Sequence, residues 1–133
     1  MTELKIIWQR LVDDHGQTCD RCAGTGDSIQ AAAEMLREAL APLGIAVIAE
    51  MKKLSTSEFM HAPLESNRVW IGDRPIEEWL VAEVGQSPCC GSCGEHECRT
   101  VSVSEQRYEV IPKELVLKAG LMAAAELVGR FAE

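Results

Sequence analysis

Residues 27–51, DSIQAAAEMLREALAPLGIAVIAEM, change their apolar period part-way along, and that change sets the expected fold. Ile29, Ala33, Leu36, Leu40 and Leu43 step by four, three, four and three, the spacing of one helix face. Asp27 with Gln30 three residues on resembles a capping box, so a helix is expected to begin there. Pro42 breaks its last turn, and Gly44 suits the position just past the end. The continuous apolar run GIAVIAEM that follows reads as a strand covered on both faces. Upstream, residues 4–12 mix apolar and polar side chains at strand length. Strand, helix and strand form a β–α–β unit, whose crossover is expected to be right-handed and its strands parallel.

Outward from this unit, residues 55–61 suggest a short helix capped by Ser55 or Ser57. NRVWIGDRPIEEWL, residues 67–80, reads as a strand, a Gly-Asp hairpin turn and a brief return strand. Pro75 confines that return strand to a sheet edge, and IEEWL fits a helix as well as a strand. Val101/Val103 and Tyr108/Val110 alternate around SEQR, which predicts a second hairpin. Pro112 opens a final helix in which Leu117, Leu121, Ala124 and Val128 share a face. This helix is rich in Ala and contains Gly120. It can pack closely on the sheet or on a second copy in a homodimer, and the sheet is the expected partner. Neither a repeat nor a linker divides the chain, so residues 1–133 are expected to form one domain.

At 133 residues folding buries roughly two thirds of the unfolded chain's surface, enough for a core without cross-links. The net charge of −8 argues against nucleic acid as a partner, because phosphates demand a basic surface. It argues equally against an anionic membrane surface. The start, MTELKIIWQRLVDD, lacks the pattern of a signal peptide, and no apolar run approaches the ~20 residues that span a bilayer. A cytoplasmic location is expected. Thiols stay reduced there, so six cysteines point to metal binding or redox work before structural disulfides.

Those cysteines fall into two groups. TCDRCAGTGD holds Cys19 and Cys22, in the loop expected between the first strand and the first helix. GQSPCCGSCGEHECRT, whose cysteine-rich part spans residues 85–99, holds Cys89, Cys90, Cys93 and Cys98 with His96. If this second loop leaves the return strand of the hairpin, it emerges at the same end of the sheet as Cys19 and Cys22. All six thiols would then gather at one edge.

A β–α–β unit followed by an antiparallel hairpin and a helix resembles the thioredoxin fold. The expected class is therefore α/β, with a central mixed sheet flanked by helices and a Cys-rich loop insertion. Along WQRLVDD, GQTCDRC, PLESNRVWI, VGQSPCCGSCG, ECRT and IPKELVLKAGLMAAAEL, nearly the whole chain resembles one small prokaryotic family of thioredoxin-like, cysteine-rich proteins. The resemblance implies the fold and the importance of the six cysteines, and it implies no particular activity.

Three chemistries compete for the thiols. Metal–thiolate binding is the leading one. Cys19-x-x-Cys22-Ala-Gly24 and Cys90-x-x-Cys93-Gly94 have the spacing of metal knuckles, in which both sulfurs face one ion and glycine lets backbone amides turn toward them. The two pairs could complete a four-thiolate zinc site. Alternatively Cys89, Cys90, Cys93, Cys98 and His96 could form a local one. Adjacent Cys89 and Cys90 suit thiophilic demands such as copper(I), arsenic(III), mercury(II) or an iron–sulfur cluster. CDRCAGTG also fits the zinc repeat of J-domain chaperones, but that module needs several copies and one is present.

The second chemistry is thiol–disulfide exchange with a protein thiol partner, Cys19 as nucleophile and Cys22 as resolving thiol. A helix N-terminus and Arg21 would favour the Cys19 thiolate, and Asp20 would oppose it. Two features weaken it. Ser66-Asn67 stand where thioredoxin-like proteins usually carry a cis-proline, and Gly24 and Gly26 are expected to delay the helix to Asp27, away from Cys19. The third is a structural clip, for which six thiols and His96 are more than is needed.

Other residues read as scaffold. His15 and His61 are lone loop histidines. Trp8, Trp70 and Trp79 are expected in the core. The acidic pairs at 13–14 and 77–78 are expected to be solvated. AGTG lacks the context of a phosphate loop.

Overall fold

Leu4, Ile6 and Trp8 alternate along the first strand and all are buried, as period-two side chains are when one sheet face is covered. In the computed structural model, which describes residues 2–12, 20–88 and 97–131, this strand is β1 (Thr2–Leu11). It runs parallel to β2 (Ile45–Leu54) in a continuous register from Thr2 opposite Ile45 to Leu11 opposite Leu54. Between them lies α1 (Asp20–Leu40), which closes the expected β–α–β unit. Pro42 lies in a 3-10 turn that ends α1, and Gly44 follows at φ 71°. Leu43, grouped above with the helix face, belongs to that turn and is exposed.

β3 (Arg68–Ile71) pairs antiparallel with β1, and β4 (Arg74–Pro75) returns beside it through the Gly72-Asp73 turn. The order is β2-β1-β3-β4, so Pro75 is on an edge strand as expected. Ahead of β3, Ser55 caps α2 (Thr56–His61) through a reciprocal pair of hydrogen bonds with Glu58. IEEWL begins as a helical turn, α3 (Ile76–Trp79), which buries Ile76 and Trp79.

α1 starts seven residues before the expected Asp27, and packing explains the error. A side-chain carbon on Gly26 would meet the Trp8 ring at 2.4 Å, and one on Gly24 would meet Val110 at 3.0 Å. Both glycines admit a neighbour rather than break the helix.

The last helix, α4 (Lys113–Phe131), packs mainly on α1. Its buried stripe is Val116, Ala119, Ala123 and Ala124, whereas Leu121 is 45% exposed. Of the other expected members, Ala124 belongs to the buried stripe and Leu117 and Val128 pack half-buried against the core, so the stripe is turned toward the small residues rather than lost. A side-chain carbon on Gly120 would fall 2.5 Å from Leu36, so the two helices approach too closely for anything larger. β2 also departs from expectation, since residues 50–53 are exposed and only Ile45, Val47 and Leu54 are buried.

The largest correction concerns the cysteine-rich segment. Residues 85–88 and 97–99 are strand, not loop. β5 (Glu83–Pro88), β6 (Glu97–Val103) and β7 (Gln106–Tyr108) form a second, antiparallel sheet. β6 and β7 are the expected second hairpin, turning at Ser104-Glu105. The cysteine segment therefore joins two strands of this second sheet rather than leaving β4. The whole is a mixed α/β structure of two sheets and four α-helices among the described residues. None of these helices is long and apolar enough to cross a membrane.

Candidate functional site: a buried cysteine at the start of a helix

α1 is described from Asp20, the residue after Cys19 in the sequence. An α-helix carries about half a positive charge at this end, which favours a thiolate there. Cys22 lies in the first turn and is 1% exposed. Its Sγ is 3.5 Å from the Oγ of Ser66, within hydrogen-bonding reach for sulfur. Ser66 is fully buried and its Oγ also accepts the Leu11 amide at 3.1 Å. The end of β1, the first turn of α1 and the turn before β3 thus meet at one hydroxyl. Farther along α1, buried Thr25 accepts the Ile111 amide at 3.2 Å, fixing the helix start against the segment that leads into α4.

Ser66-Asn67 is the pair that departs from the cis-proline pattern, and no peptide bond is cis among the described residues. Asn67 takes a left-handed φ of 60°, which asparagine tolerates better than most residues. Its side chain accepts from Trp8 Nε1 at 3.4 Å and donates to the Glu109 carbonyl at 3.3 Å. Just upstream, Glu65 accepts from Gln9 at 3.0 Å and from Arg68 at 2.8 Å. Burial works to raise the Glu65 pKa, but these two hydrogen bonds outweigh it and leave the carboxyl below its ordinary value.

The same turn anchors the second sheet. Arg99 is 6% exposed. It donates to the Leu64 carbonyl at 2.7 Å and pairs with the Glu77 carboxylate. Burial lowers the Arg99 pKa and Glu77 opposes that shift. Glu77 is therefore a half-buried partner, not the solvated acid its sequence suggested. Ser87 donates to Glu109 at 3.3 Å, and the backbone of Ser87 pairs with that of Cys98. The strand ends flanking residues 89–96 are thus tied, through Arg99 to Leu64 and through Glu109 to Asn67, to the turn that touches Cys22.

Cys22 and the backbone of Cys98 are the candidate ligands that fall within the described residues. Cys19, Cys89, Cys90, Cys93 and His96 lie outside them, as do His15 and the acidic pair at 13–14. No group of three or more His, Cys, Asp or Glu side chains converges among the described residues. Ser66, Asn67 and Arg99 are the site residues that the sequence did not single out as partners. Their only visible signal is a Ser-Asn pair at the turn before a strand and an arginine beside Cys98.

A model of the domain of unknown function DUF2703 matches residues 4–120. The chain belongs to this family. An uncharacterised protein of Archaeoglobus fulgidus is 46% identical over 114 residues, covering 86% of this chain and 82% of that one. The DUF2703 match takes in all six cysteines and the Ser66 turn. No solved structure matches the chain.

Proposed function

We propose that this DUF2703 protein is a thioredoxin-like thiol–disulfide oxidoreductase, with Cys19 as the attacking thiol and Cys22 as the resolving thiol. The observation that carries this reading is Cys22, 1% exposed in the first turn of a helix that starts at Asp20. The helix start removes one of the two objections raised by the sequence. The chain order of β–α–β unit, antiparallel hairpin and closing helix supports the thioredoxin-like build. Side chains three residues apart share one helix face, which is the spacing of the Cys19-x-x-Cys22 motif.

In this reaction the Cys19 thiolate attacks one sulfur of a partner's disulfide. That bond breaks, a Cys19–partner disulfide forms, and one partner thiolate leaves. The Cys22 thiolate then attacks the Cys19 sulfur, releasing the second partner thiolate and leaving a Cys19–Cys22 disulfide. The partner gains two electrons, and two protons reach its thiols through solvent. Burial of Cys22 keeps the second thiol from competing for outside disulfides.

Metal–thiolate binding is the second reading. It is favoured by the hydrogen bonds that tie the β5–β6 strand ends to the turn beside Cys22. Zinc, or a more thiophilic ion or iron–sulfur cluster, would draw on Cys19, Cys22, Cys89, Cys90, Cys93 and Cys98, with His96 as a further donor. A bound ion would fix thiolates and link the two sheets.

Protein purified without oxygen separates the two readings. The redox reading expects catalysed reduction of an insulin-type disulfide, lost in Cys19→Ser. It also expects Cys22→Ser to accumulate a disulfide between Cys19 and the partner. Stoichiometric zinc, iron or copper, lost on replacing Cys90 and Cys93, together with no disulfide reduction, would overturn it in favour of metal binding.

A further inference from the structure

We propose that Ser66 is a positioning residue that sets the oxidising strength of the Cys19–Cys22 couple, through a hydrogen bond with Cys22 Sγ that is stronger in the reduced state. This deepens the redox reading and rests on it. The Leu11 amide is a donor only, so at Ser66 Oγ it occupies a lone pair and leaves the hydroxyl hydrogen to point elsewhere. Cys22 Sγ, at 3.5 Å, is the acceptor within reach among the described residues.

A reduced Cys22 makes the stronger bond in either protonation state. A thiol can donate to the second Ser66 lone pair, and a thiolate accepts roughly twice as strongly as a neutral sulfur. A disulfide sulfur has no hydrogen to give, so the contact favours the reduced protein. Water cannot take over the role. Ser66 is 0% exposed, and Leu11 and Cys22 are each 1% exposed. The residue that departs from the cis-proline pattern becomes, on this view, the substitute device at the same turn.

The decisive quantity is the equilibrium between dithiol and disulfide. Removing the hydroxyl also strands the Leu11 amide, but it does so in both redox states, and that cost cancels from the redox equilibrium. The full-length protein is equilibrated in dithiothreitol or glutathione buffers and alkylated. Peptide-resolved mass spectrometry then reads Cys19–Cys22 separately from the cysteines of residues 89–98.

Ser66→Ala is expected to shift the equilibrium about tenfold toward the disulfide, equivalent to a potential ~30 mV more negative for a two-electron couple. Ser66→Thr, which keeps the hydroxyl, is expected to stay within about twofold of the wild type. Should Ser66→Ala not fold, Ser66→Val, which has the shape of the Thr variant without its hydroxyl, carries the same expectation. A folded Ala or Val variant with the wild-type equilibrium would overturn the Ser66 role and leave the redox reading standing. A wild type with no reversible Cys19–Cys22 disulfide would overturn both.

Discussion

The two sheets are held in place by opposite means. In the four-stranded sheet, Leu4, Ile6 and Trp8 of β1 with Val69 and Ile71 of β3 press an apolar face onto α1 and α4. In the three-stranded sheet the buried set includes Ser87, Arg99 and Thr100. Among the described residues its polar ties to the rest run through Glu77, Leu64 and Glu109, and Val101 joins it to the apolar core. Apolar packing is non-directional and tolerates modest change of shape. A buried ion pair with hydrogen bonds is directional, and it fails when one member is lost. The cysteine-rich segment joins two strands of the directional sheet, while Cys22, in α1, lies in the apolar core packed on the other. The turn at residues 64–67 is where the two meet.

The largest effect expected from this contrast is at Arg99. Arg99→Met leaves the Glu77 carboxylate without its ion-pair partner and the Leu64 carbonyl without its donor, which should cost about 3–5 kcal/mol. Removing the charge from the other side as well, in Arg99→Met/Glu77→Leu, should recover most of the loss, since apolar replacements of buried pairs are often neutral. By comparison Ile6→Val, in the apolar sheet, should cost only about 1 kcal/mol. Urea denaturation of the three variants checks the ranking. An Arg99→Met loss no greater than that of Ile6→Val would erase the distinction between the sheets.

A smaller effect separates the two glycines of α1. Alanine is intrinsically the better helix former by about 1 kcal/mol, so a glycine that merely loosened the helix would gain stability on replacement. Gly26→Ala drives a carbon into the Trp8 ring. That ring is buried and hydrogen-bonded to Asn67, so a net loss of about 1–2 kcal/mol is expected. Gly24→Ala meets Val110, which is 38% exposed and free to yield, and should be neutral or slightly stabilising. Thermal unfolding of both variants is the check. Equal gains from both would return these glycines to the role of helix breakers.

That pair of glycines also shows where the sequence was legible. Apolar periodicity is a local signal, and it located β1, the body of α1, β2, the β3–β4 and β6–β7 hairpins and α4. It failed where a distant contact overrides local preference. Gly24 and Gly26 look like breaks until Val110 and Trp8 are seen against them. The stripe of α4 looks leucine-rich until Leu36 of α1 is found seated over Gly120. β5 was hidden because GQSP carries neither strand alternation nor apolar content. The cysteine motif was plain in the sequence. Ser66 and Arg99 were not, because an ordinary serine and an ordinary arginine gain their roles from partners 44 and 35 residues away.

The smallest effect tests the turn where the sheets meet. Glu65 holds Gln9 from β1 and Arg68 from β3, and its folded pKa lies below the ordinary 4.5. A carboxyl with a depressed folded pKa adds stability that is fully present above its unfolded value. That stability is lost as the pH falls through the folded value. The wild type should therefore lose more thermal stability than Glu65→Gln as the pH is lowered from about 4.5. The side chain is 39% exposed, so solvent screens the pair and the difference should be slight. If the two proteins kept parallel midpoints through that acid range, Glu65 would be a bystander. The turn would then be held by Arg99, Asn67, Ser66 and the Gln9 bond to the Glu65 carbonyl at 2.8 Å, with no part played by the Glu65 carboxylate.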